Sequence, residues 1–160
     1  MLVKLYALPD LSPLEKKLEE SGFVFRRPLA AEKSIVLDWV TRRFGSGWSC
    51  EVDISFSYQP IASFVAIKDG AIVGFACYDA AYRNFFGPTG VDESQRGLGL
   101  GKILLIKSLE AMRSQGYAYA IIGGVGPAEF YAKTVGAELI AGSDPGIYKG
   151  ILSEVPHEAK

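Results

Sequence analysis

Cysteine and histidine are scarce in this chain: two cysteines, Cys50 and Cys77, and one histidine, His157. Two isolated thiols without close spacing exclude a disulfide scaffold and a thiol-based zinc site. A lone histidine near the C-terminus leaves no partner to activate a nucleophilic cysteine or serine, so Cys77 reads as a small buried hydrophobe. Charge of one sign is also missing. Seventeen Lys and Arg against eighteen Asp and Glu give a net charge of −1, too little basic excess to favour nucleic acid or an anionic membrane. No apolar run approaches the ~20 residues that span a bilayer. Met1-Leu2-Val3-Lys4 lacks the basic-then-apolar layout of a secretory signal. A reducing cytoplasm is the compartment that fits. Internal repeats and low-complexity segments are absent.

What is present suits one globular domain. The chain has 160 residues, 49% of them hydrophobic and 22% charged, long enough to bury a single core. Val3 to Leu8 reads as a short strand. Ser12-Pro13-Leu14-Glu15 has the form of a capping box with proline at the first helical position, so a helix is expected to Ser21. Phe23 to Arg27 reads as a strand, and a helix is expected from Ala30 to Phe44. For Trp48 to Tyr58, the alternation of Val52, Ile54 and Phe56 fits a strand, while Trp48, Val52 and Phe56 fit a helix. A short helix or loop is the reading adopted. Ser63–Lys68 and Ala71–Tyr78 around Asp69-Gly70 form a strong hairpin signal. Arg83 to Phe86 follows as a third antiparallel strand that stops at Gly87-Pro88. Beyond it, the pattern predicts a helix to Gln115, a strand over 117–122, a helix over Ala128–Val135, and two short closing strands near 138–140 and 147–152.

The stretch from Phe85 to Lys102 organises the rest. It reads as a strand, a polar segment, and alternating Gly97, Gly99 and Gly101 immediately before an amphipathic helix. The first turn of a helix carries unpaired N–H groups and a partial positive charge, and glycines let a phosphate approach the backbone. Arg96 and Lys102 add positive charge, so the segment reads as a phosphate cradle. A P-loop would need glycine at Arg96 and Ser or Thr at Ile103. A dinucleotide fingerprint would need Gly-x-Gly-x-x-Gly and an acidic residue about 20 positions on. Neither is found.

What remains, Arg96-x-x-Gly99-x-Gly101, resembles the pyrophosphate loop of the GNAT family of N-acetyltransferases. Ala128-Glu129-Phe130-Tyr131-Ala132-Lys133 before Gly136 is similar to the same family's late Phe-Tyr helix. The resemblance spans Phe23 to about Leu152 and implies an α/β (α+β) acyl-CoA N-acyltransferase fold, a mixed central sheet flanked by helices. Residues 1–22 would form a short N-terminal extension packed on the first strand, and 23–160 the acetyltransferase domain. It implies direct transfer of the acetyl group of acetyl-CoA, the co-substrate, to an amine of a small molecule or peptide, without metal. The rival is a CoA-binding regulatory or degenerate domain. Pairing of two copies through their sheets also follows by resemblance.

Carried onto this chain, the family's cofactor-binding positions are Gly90, Val91, Arg96, Gly97, Leu98, Gly99, Leu100, Gly101 and Lys102, with oxyanion stabilisation near Gly90-Val91. Tyr131 is the catalytic residue implied, as donor to the leaving thiolate, the alternative being a core aromatic. Asp92 and Glu93 read as solvated. Val125-Gly126-Pro127 stands where the family often has Asn, and four residues rather than three separate Tyr131 from Gly136. Glu51, Asp53 and Asp79 are the carboxylates available as a base, with water as the alternative. Trp48, Tyr82, Phe85 and Phe86 are candidates for an acceptor pocket, with core packing the equal alternative for Phe85 and Phe86. The pairs Arg26-Arg27 and Arg42-Arg43 read as surface charge.

Overall fold

A computed structural model describes residues 1–152. Six strands form one sheet in the order β1-β6-β5-β4-β3-β2: β1 (Leu2–Lys4), β2 (Phe23–Arg26), β3 (Ser63–Lys68), β4 (Ala71–Tyr78), β5 (Phe85–Val91) and β6 (Tyr119–Ile122). The β5–β6 pair is parallel and every other pair antiparallel, so the sheet is mixed, as expected. Among the described residues, five α-helices flank it: α1 (Ser12–Glu20), α2 (Lys33–Phe44), α3 (Ser46–Ser55), α4 (Leu100–Ser114) and α5 (Ala128–Val135). Helix α4 is the hub. Ile103, Leu104, Leu105, Leu109 and Met112 are fully buried among the residues of one core. A second core, with Val36, Trp39, Val40, Val52 and Phe75, joins α2 and α3 to the sheet.

The β3–β4 hairpin turns at Asp69 (φ 50°) and Gly70 (φ 78°), the pair of left-handed residues that a two-residue turn requires. Trp48 to Ser55 is helical, within α3. The capping expected of Ser12 falls to its neighbour: Asp10 accepts from the Ser12 N–H at 2.9 Å and also from its hydroxyl.

Two expectations fail. The third strand does not stop at Gly87-Pro88; β5 runs on to Val91. The ladder with β4 is irregular between Ala76 and Tyr78, opposite Gly87-Pro88, and such an irregularity is where a strand can hold a residue without an N–H. The two closing strands do not form. Glu138 makes one isolated bridge to Leu2, and Gly146–Tyr148 is a 3-10 turn. Strand β1 already occupies the edge beside β6, with Leu2 opposite Ile121. Gly142, Gly146 and Gly150 all take positive φ, a conformation that interrupts any strand. The first residues thus lie at the far edge of the sheet from β2, while α1 packs against β2 and α4.

Candidate active site

The turn between β5 and α4 exposes backbone. The Gln95 and Arg96 N–H groups close a 3-10 turn onto Asp92 and Glu93. From there the bonding stops: among the described residues, no acceptor takes the N–H of Gly97, Leu98, Gly99, Leu100 or Gly101. Positive φ at Gly97 (83°) and Gly99 (101°) bends the chain just before α4, the kind of backbone in which successive free N–H groups form an anion-binding concavity. Gly101 is different. Its φ is ordinary, and an added Cβ would come no nearer than 3.7 Å to Phe130, so nothing within the protein demands glycine there. The Leu100 side chain is buried in the core, leaving only its backbone facing the cradle. Leu98, Arg96 and Lys102 are exposed. Arg96 bends back toward the Val91 carbonyl, its Nε donating at 3.3 Å, and toward Glu93 at 3.6 Å.

Beside this cradle the sheet opens. Strands β5 and β6 pair only at Phe85–Ile121 and Phe86–Ile122, and β5 continues without its neighbour. The Asp92 N–H donates to the Val73 carbonyl at 2.9 Å. By the alternation of an antiparallel ladder, Gly90 also faces β4, while Thr89 and Val91 turn their N–H groups to the vacated edge. Of the two positions nominated for oxyanion stabilisation, Val91 therefore offers a free donor and Gly90 does not. Gly90 is sterically constrained instead: a Cβ would lie 2.5 Å from the Phe44 ring.

The opening leads into a cleft of about 390 Å³ bounded by Trp48, Glu51, Phe85, Thr89, Tyr131 and Tyr148, with Gly123 and Gly124 in its floor. Tyr131 projects from α5, held edge-on by Phe86 (centroids 6.3 Å) and Phe130 (5.1 Å). Its hydroxyl has no hydrogen-bond partner among the described residues, and burial holds its pKa above the ordinary phenol value. Helix α5 ends at Gly136 in the left-handed conformation (φ 64°), the form of C-terminal stop that glycine favours. The extra residue before Gly136 is thus accommodated inside the helix.

A protein-family model described as the Acetyltransferase (GNAT) family matches residues 34–137, more than half of the chain. The chain belongs to the GNAT acetyltransferases. No curated protein matches it. Among solved structures, it is similar to the glucosamine N-acetyltransferase region of a fungal multi-domain GH3 beta-N-acetylglucosaminidase (13% identity, TM-score 0.68). That match covers 84% of this chain and 19% of the other, so this chain spans about a fifth of the fungal protein's length. It is also similar to YhbS of Escherichia coli, solved with CoA (20% identity, TM-score 0.53, 71% of this chain and 67% of that one). A third is an aminoglycoside acetyltransferase from an uncultured soil metagenomic sample (17% identity, TM-score 0.56, 76% and 93%). At these identities the likeness establishes the fold.

Within this GNAT chain the three carboxylates separate. Asp53 pairs with Lys33 on the surface. Asp79 is buried and serves its turn, accepting from the Asn84 N–H at 2.7 Å and the Tyr117 hydroxyl at 3.2 Å. Only Glu51 lines the cleft. Trp48, Phe85 and Phe86 line it too, whereas Tyr82 is exposed outside it. Cys77 is fully buried, its thiol pushed up to about 12 chiefly by desolvation, so it holds its proton and is no nucleophile.

Asp92 is not simply solvated. It accepts from the Ser94 N–H (3.0 Å) and hydroxyl (2.7 Å) and pairs with Arg43 Nε at 2.8 Å. Arg43 also lies 4.6 Å over the Trp39 ring. Neither is Arg26-Arg27 free surface charge: Arg26 pairs with Glu32 at 2.7 Å, and Arg27 stacks over Phe64 at 4.5 Å. Sequence reasoning missed Tyr148, whose hydroxyl would lie 2.9 Å from a Cβ at Gly123. Nothing in its local sequence marks it as a wall of the cleft.

Among the described residues, no helix is long and apolar enough to cross a membrane.

Proposed function

We propose that this protein is an acetyl-CoA-dependent N-acetyltransferase that passes the acetyl group directly to an amine. The observation that carries this reading is the run of five unpaired N–H groups from Gly97 to Gly101, next to a vacated strand edge whose earlier residues share a cleft with Tyr131. Such donors at a helix start suit a pyrophosphate, whose charge the helix dipole favours. Arg96 and Lys102 flank them as additional cations, and the open space at Gly97 lets a phosphate oxygen approach the backbone. Leu98 and Leu100 take part through their N–H groups. The Val91 N–H is then the strand-edge donor for an acyl oxygen, where a preorganised N–H stabilises developing negative charge. Gly90 keeps Phe44 close against the same stretch of β5.

Acetyl-CoA supplies a thioester, and its aminolysis forms one C–N bond and breaks one C–S bond. Tyr131 holds its proton at neutral pH, and with no internal acceptor its hydroxyl is available to give that proton to the departing sulfur. Cys77 stays a thiol, which favours direct transfer over an acylated enzyme. Calorimetric titration with acetyl-CoA and with CoA tests the cradle. Saturable one-site binding of both is expected. A folded protein that binds neither overturns the reading.

A further inference from the structure

The cleft beside Tyr131 is apolar and aromatic, with one exception. Glu51, on α3, is the only charged side chain among the described residues that line it. No described cation pairs with this carboxylate and no described donor bonds to it, although it is half-buried. Its helical neighbour Asp53 has Lys33. An ionised carboxylate that is partly desolvated and unpaired costs free energy that an incoming cation would recover. Trp48, Phe85 and Tyr148 line the same cleft and suit a flat or apolar body.

We propose that Glu51 pairs with the ammonium group of the acceptor and takes its proton, and that the acceptor is a small amine with an apolar body and no acidic group. This rests on the transferase reading above. An alkyl ammonium, with a pKa of about 10.4, must lose a proton before its nitrogen can attack. One proton passes from R–NH3⁺ to the Glu51 carboxylate, leaving R–NH2. The nitrogen lone pair forms the C–N bond, and the C–S electron pair leaves with sulfur, which takes a proton from Tyr131. The proton shed by the new amide nitrogen restores Tyr131, and Glu51 returns its own to water. Burial raises the carboxyl of Glu51 above its usual range, in the direction that improves a base working near neutrality. An α-amino acid is disfavoured by the same lining, because its carboxylate finds no cation there among the described residues and meets Glu51 instead.

The test uses the intact protein and its Glu51→Gln variant with 2-phenylethylamine, phenylalanine and the weakly basic 2,2,2-trifluoroethylamine, following thiol release from acetyl-CoA. For 2-phenylethylamine, kcat/KM should fall about 10²-fold in the variant, the scale of a lost general base. Acetyl-CoA affinity should stay unchanged, and the melting temperature should not fall, since the variant loses an unpaired charge. The loss should shrink to a few-fold for trifluoroethylamine, which is already neutral, whereas a merely structural role would lower both amines alike. The wild type should also prefer 2-phenylethylamine to phenylalanine by at least about tenfold, one charge–charge contact being worth that much.

Independently of turnover, 2-phenylethylamine should bind the CoA-saturated wild type more tightly than the CoA-saturated variant. Equal losses for the two amines, a preference for phenylalanine, or amine binding indifferent to Glu51→Gln would each overturn the proposal. Failure to bind acetyl-CoA at all would instead overturn the transferase reading on which it stands.

Discussion

The cradle before α4 and the cleft beside α3 adjoin along β5, yet they are assembled in opposite ways. The cradle is backbone: five successive N–H groups from one short loop, aimed by two left-handed glycines. The cleft is side chain: Glu51 and Trp48 from α3, Phe85 from β5, Tyr131 from α5 and Tyr148 from a late 3-10 turn. Backbone donors recognise a phosphate whatever the neighbouring side chains are, so such a site tolerates variation around its glycines. A cleft made of side chains from separate segments changes its chemistry with each substitution. The part suited to a common donor is therefore local in the chain, and the part that would choose the acceptor is dispersed.

The sharpest way to separate the two regions is Gly101→Glu. Position 101 has ordinary φ, and a Cβ there makes only ordinary contacts, 3.7 Å to Phe130 and 3.8 Å to Val91, so the backbone tolerates the substitution while a carboxylate is brought to the cradle. Acetyl-CoA affinity by calorimetry should fall at least ~100-fold, or ~2.7 kcal/mol, with little change in melting temperature. An unchanged affinity would detach the glycines from the cofactor.

Tyr131→Phe probes the junction of the two regions. Turnover is expected to drop by about 10²-fold, with acetyl-CoA affinity altered less than about twofold, since the phenyl ring preserves the contacts with Phe86 and Phe130. Burial raises the pKa of Tyr131, so its neutral, proton-donating form persists past the ordinary phenol value of about 10. Steady-state kcat should accordingly show no tyrosine-dependent fall between pH 7 and about 10. A fall with a midpoint near pH 8 would contradict the assignment.

The smallest effect concerns the strap that holds the cradle to α2. Asp92 is depressed to about 2 by the Ser94 hydroxyl first, then by Arg43 and the Ser94 N–H. A depressed carboxylate contributes stability that is complete above its unfolded value of about 3.9 and is lost as pH falls toward about 2. Arg43→Ala should therefore cost at most ~1 kcal/mol at pH 7, because the pair is partly solvated. Thermal melts of wild type and variant should converge as the pH is lowered through that window. A gap that persists at pH 2 would mean that Arg43 acts by its packing over Trp39 instead.

How much of this was legible in the sequence follows the same division. The hairpin at Asp69-Gly70, the glycine loop and the helix carrying Tyr131 are written in consecutive residues with fixed conformational demands, and they were readable. The GNAT resemblance drew on those same stretches. The course of β5 through Gly87-Pro88 was not, because proline reads as a stop unless the partner strand supplies an irregularity, and the partner lies ten residues earlier. The apolar residues Leu139, Ile140, Ile147 and Ile151 suggest two buried closing strands, whereas they are exposed and the edge beside β6 is taken by Leu2–Lys4 from the other end of the chain. Glu51 could be nominated but not separated from Asp53 and Asp79. What separates them is a surface lysine, a buried turn and a cleft, none of which is a property of local sequence.

The most direct test of the whole account is thiol release from acetyl-CoA by the purified protein, with and without a primary amine, coupled to mass detection of the amine product. The account predicts release that depends on the amine and matches N-acetylated product one for one. Tight acetyl-CoA binding with no amine-dependent release from pH 7 to 9 would contradict it, and would make the protein a CoA-binding domain.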